Sequence, residues 1–87
     1  MIVHKLTIKA VHAARRAIQS NPEFSIPHTL LAAALAKLGQ VEAPKAAAVQ
    51  VLALQPSFSS QEFCAAVGVA PALAKALTQA WRQAGLP

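Results

Sequence analysis

The chain contains a near-repeat: Asn21-Pro22-Glu23-Phe24-Ser25 returns as Gln55-Pro56-Ser57-Phe58-Ser59, with Pro22 and Pro56 34 residues apart. That period is the length of a helix-turn-helix repeat unit. Each unit of such an array has an apolar face that only a neighbouring unit can cover, so the usual product is a surface for a partner rather than a reaction centre. At 87 residues the chain is sized for one small domain, able to bury roughly 60% of its unfolded surface, which predicts marginal stability. Hydrophobic residues make up 55% of it and charged ones 13%. This is too apolar for disorder and poor in charge, and it implies that some apolar surface needs a partner.

Helical periodicity runs through the whole sequence, and the expected class is all-α with about five helices. From Val3 to Ser20 the residues Val3, Leu6, Ala10, Val11, Ala14, Ala17 and Ile18 recur at three and four, marking one helix face. Asn21-Pro22 ends that helix. Ser25 is expected to cap a second helix reaching Leu38, with Pro27 in its first turn and Gly39 as a left-handed stop. Leu31, Ala32, Leu35 and Leu38 are its predicted inner face. A third helix from Val41 or Glu42 carries Ala47, Ala48, Val51, Leu52 and Leu54 up to Pro56. Ser59-Ser60-Gln61-Glu62 reads as a capping box for a short helix ending near Val67, and Pro71 opens a last helix closed by Gly85.

The segment from Ser25 to Phe58 resembles a tetratricopeptide repeat. Ala32, Gly39, Ala48 and Pro56 occupy the small, turn and closing positions of the family's pattern, and Leu31 and Leu35 its large apolar ones. His28 and Pro44 differ from the family's usual aromatic and small residues. Ala10, Ala14, Ala17 and Pro22 fall 34 residues before Pro44, Ala48, Val51 and Pro56, so residues 1–22 correspond to the second helix of a preceding repeat whose first helix is missing. The resemblance implies antiparallel helix pairs of an α-α superhelix: an incomplete repeat at 1–22, a full one at 25–58 and capping helices at 59–87. It implies either the tail of a longer array or a stub completed by a second copy. The last stretch, with Phe63, Pro71, Leu73, Leu77 and Trp81-Arg82-Gln83-Ala84-Gly85-Leu86-Pro87, is similar to the tail that follows such repeats in some bacterial class III adenylate cyclases. None of a cyclase's catalytic residues can be carried over.

The inventory of reactive groups points the same way. Asp is absent, and Glu23, Glu42 and Glu62 each stand near a turn or helix start, where they favour capping over paired-carboxylate chemistry. His4, His12 and His28 lack metal-ligand spacing, and Cys64 stands alone among apolar neighbours, as a small buried hydrophobe would. Neither an enzyme nor a cofactor is expected. No apolar run is long enough to span a membrane, and the Met1-Ile2-Val3-His4-Lys5-Leu6 start has no leader pattern, so a soluble cytoplasmic protein is the expectation.

The expected role is protein or peptide binding. Ile26, Thr29, Ala33, Ala36 and Lys37 are the candidate groove, with Lys37 placed to hold an acidic group. Val3, Leu6, Ala10, Val11, Ala14 and Ile18 are the candidate self-association face of a homodimer. A formal net charge of +5 favours acidic partners and keeps a second class in view. Residues 61–77 have the outline of a DNA-binding helix-turn-helix, although Pro71 to Leu77 offers one lysine among apolar side chains, which argues against nucleic acid.

Overall fold

Five helices account for most of the chain, and no strand occurs among the described residues. They are α1 (Ile2–Ser20), α2 (Ser25–Lys37), α3 (Glu42–Leu54), α4 (Ser60–Val67) and α5 (Pro71–Ala84). The computed structural model describes residues 2–87, with side chains described from Lys5 onward. The punctuation is where the sequence puts it. Pro27 and Pro44 each sit third in their helices, within the first turn, where a missing N–H leaves no gap in the backbone ladder. Ser59 caps α4 by accepting from the Glu62 N–H at 3.4 Å.

The expected cap at the start of α2 is corrected. Phe24, with extended backbone, is the capping residue and makes no side-chain bond, while Ser25 is the first helical residue. The Ser25 hydroxyl donates instead to Gln55 Oε1 at 3.2 Å. This bond joins the two turns of the near-repeat and brings the start of α2 to the end of α3, as an antiparallel pair requires.

Helix α2 is the centre of the fold. It packs against α1, α3 and α5, whereas among the described residues α1 packs against α2 alone and α4 against α5 alone. Consequently α2 is buried nearly all round, from Pro27 to Thr29 and from Ala32 to Ala36, rather than along one face. The alanines explain how three neighbours fit: small side chains let helix axes approach to the lower end of the usual ~8–10 Å. Ala32, Ala33 and Ala36 share one core cluster with Ala47, Ala48 and Val51 of α3 and with Ala80, Trp81 and Ala84 of α5. A smaller cluster holds Val11 of α1 against Ala34 and Leu35. Cys64 is half-buried at the margin of the main cluster.

Trp81 locks α5 onto α2. Its indole Nε1 donates to the Thr29 carbonyl at 2.8 Å, and Phe58 and Phe63 meet its ring edge-on with centroids 5.3 and 5.2 Å away. The chain then turns at Gly85, where φ is +94°, and folds Leu86 into the core through a 2.8 Å bond from its N–H to the Trp81 carbonyl. The Pro87 main-chain oxygen accepts from both the N–H and the hydroxyl of the buried Ser60, at 2.8 and 2.7 Å. No heavy atom lies within 4 Å of a Cβ built at Gly85, so an alanine there meets no clash, and its whole cost is the left-handed backbone. Gly85→Ala is expected to destabilise by about 1–2 kcal/mol and to lower the melting temperature by roughly 4–15 °C. An unchanged melt would mean that the left-handed turn does not hold the tail.

Candidate functional site

Because α1 touches only α2, its apolar band is wider than its cover. Val11 and Ala14 are buried against α2, but Leu6 is 59% exposed, and Ala10, Ala13 and Ala17 also face outward. On the far side of α2, α5 turns Leu73, 54% exposed, together with Ala76 and Leu77 toward the same space. Between the two helices lies an open cleft of about 630 Å³, floored by Pro27, Leu30, Ala33 and Ala34 of α2. Thr7 and Lys37 are the polar residues on its walls, which carry no carboxylate.

Where the cleft passes Lys37 it adjoins a smaller cavity of about 180 Å³ lined by Ala36, Lys37, Ala76, Gln79, Ala80 and Gln83. An ammonium and two side-chain amides border this notch. On the opposite side of α1 a second cleft, about 470 Å³, runs between α1 and α3 over Leu31 and Leu35. Arg15, Gln19, Gln50 and His28 edge it. His28 is buried, and its Nε2 lies 2.9 Å from the Pro22 carbonyl. A carbonyl can only accept, so the proton is assigned to Nε2.

The buried polar side chains are committed to their own chain. His28 bonds Pro22, the Thr29 hydroxyl donates to the Ile26 carbonyl at 2.6 Å, and Ser60 holds Pro87. Among the described residues no buried side-chain polar atom lacks a partner, and no group of three or more His, Cys, Asp or Glu comes together. Likewise, among the described residues no helix is long and apolar enough to cross a membrane.

The groove drawn from the sequence is rearranged by α5. Thr29, Ala33 and Ala36 are buried, because Trp81 and Ala80 fold back over α2; Ile26 is half-buried and Lys37 exposed. Ala33 and Lys37 nevertheless line the large cleft, and Ala36 borders the notch. The proposed self-association face is likewise divided. Leu6, Ala10 and Ala14 line the large cleft, Val11 is covered by α2, and Ile18 edges the second cleft. Val3 lies outside the residues whose side chains are described.

Sequence reasoning missed the α5 wall, although Leu73, Ala76, Leu77 and Ala80 have the three-and-four spacing of a helix face. The helix-turn-helix outline at 61–77 is present as α4, the Gly68 turn and the start of α5. Its second helix turns apolar side chains to the cleft, with Lys75 as the one cation in that stretch. Lys5, Lys9, Arg15 and Arg16 are all exposed along α1. Compared with known proteins, the chain matches no family model, no curated protein and no solved structure.

Proposed function

We propose that this chain is a non-catalytic interaction module of tetratricopeptide type that accepts an apolar helix in the cleft between α1 and α5. The carrying observation is that α1, α2 and α5 leave about 630 Å³ of space lined by apolar residues of all three helices. An apolar surface of this kind on a small chain marks a partner site, and a groove between helices suits the i, i+3, i+4, i+7 face of an amphipathic helix. The repeat reading supports the same place. With α1 as the second helix of a unit, the first helix of that unit would pack along α1 and α2, which is where the cleft lies. Such a module would serve as the accessory part of a larger regulatory assembly, as the similar cyclase tails are expected to do.

A fluorescently tagged synthetic helix with leucines at three-and-four spacing tests the reading by anisotropy. Saturable binding in the range of about 1–100 μM is expected, as for a small transient interface. Ala13 is exposed on the cleft wall, so Ala13→Trp fills the space without disturbing the core and is expected to weaken binding at least about tenfold, or ~1.4 kcal/mol. Binding that is absent, or indifferent to Ala13→Trp, would defeat the proposal.

A further inference from the structure

We infer that the occupant of the cleft is a helix bearing acidic side chains beside its apolar stripe, with one carboxylate seated in the notch formed by Lys37, Gln79 and Gln83, and that it is not a second copy of this chain. This rests on the reading of the cleft as a helix site. The notch shares Lys37, Ala76 and Ala80 with the cleft, so a residue one turn along an inserted helix can reach from one space to the other. Its polar groups suit one chemistry. A lysine ammonium has three donors and no acceptor, and each glutamine amide can turn its two donors inward and leave its acceptor oxygen to solvent. A carboxylate, which only accepts, can be met by all three side chains, whereas a cation there would face Lys37 with no anion on the walls.

The wider field has the same sign. The formal net charge is +5, and Glu23, Glu42 and Glu62, the only acidic residues, lie on neither the cleft nor the notch. A second copy fits badly for the same reasons. It would bring another +5 against +5, and α1, α2 and α5 contain no acidic residue at all. The helices that do, α3 and α4, carry theirs in the first turn, and each exposes a single large apolar residue, Val49 and Val67, rather than a stripe.

Two synthetic helices with one leucine stripe, their flanking positions all Glu in one and all Lys in the other, separate the possibilities in anisotropy titrations at low and moderate salt. The Glu helix is expected to bind about tenfold or more tightly than the Lys helix, the gap narrowing with salt. Lys37→Glu should erase or reverse that preference. The double variant Gln79→Ala, Gln83→Ala should weaken the Glu helix about threefold and leave the Lys helix unchanged. Equal binding of both helices, sensitive to Ala13→Trp but not to Lys37→Glu, would overturn the acidic inference while the cleft reading stood. A Glu preference that survives Lys37→Glu would assign the effect to overall charge and overturn the notch. Failure of both helices to bind would defeat cleft and notch together. A dimer in light scattering that Ala13→Trp dissociates would make a second copy the occupant and refute the inference alone.

Discussion

Trp81→Ala is expected to remove most of the stability of the fold. Trp81 is fully buried, and its truncation opens a cavity bordered by Phe58 and Phe63 while stranding no polar group, since the Thr29 carbonyl stays within the helix ladder of α2. Replacing a buried tryptophan by alanine costs about 3–5 kcal/mol, edge-on aromatic pairs forming part of that loss. A domain of 87 residues has roughly 4–13 kcal/mol in total. The melting temperature should therefore fall on the order of 15–30 °C, and the loss should extend to α4, whose only helix neighbour among the described residues is α5. Far-UV circular dichroism during heating measures this directly. Trp81→Phe, which keeps a ring and loses the Nε1 bond, should cost less. A Trp81→Ala melt close to the parent's would mean that α5 is not held where described.

Ala32→Leu is the second large expected effect, and its cause is the opposite one. Ala32 is fully buried on α2 in the cluster that includes Ala47, Ala48 and Val51 of α3, at a crossing made close by small residues. A leucine adds three carbons where there is no space, so the helices must separate or the side chain must leave its rotamer, costing about 1–3 kcal/mol. The same substitution at Ala13, on the open cleft, should change stability by less than about 0.5 kcal/mol. The ratio of the two effects in urea titrations is the informative quantity. Equal effects would contradict the contrast between a tightly filled α2–α3 interface and an unfilled α1–α5 space.

Local chemistry made the helix limits legible, and nonlocal packing hid the rest. Pro22, Gly39, Pro56, Ser59, Gly68 and Gly85 end or begin elements by backbone geometry, which needs no knowledge of neighbours. Phe24 and Phe58 show the limit. They occupy equivalent places in the near-repeat, yet Phe24 is 53% exposed and Phe58 is 3% exposed. The difference is made by Trp81 and Phe63, which arrive from the C-terminal helices to cover one and not the other. In the same way, α2 was expected to bury a single face. Its lack of any charged side chain from Ser25 to Ala36 is the signal that it is surrounded. The α1 wall of the cleft was readable as an apolar stripe, and Lys37 as a cation near it. The α5 wall and the Gln79–Gln83 notch were not, because periodicity says which residues of a helix share a face and not which helix they meet.

The most direct test of the account is residue-resolved NMR of the labelled protein as the leucine-striped Glu helix is added. Shift changes are expected along Leu6, Ala10 and Ala13 of α1, Ala33 and Lys37 of α2, and Leu73 and Ala76 of α5, with Arg15, Ile18 and Gln50 around the second cleft left in place. Changes centred on the second cleft, or spread over the basic face of α1 with none on α5, would contradict the account.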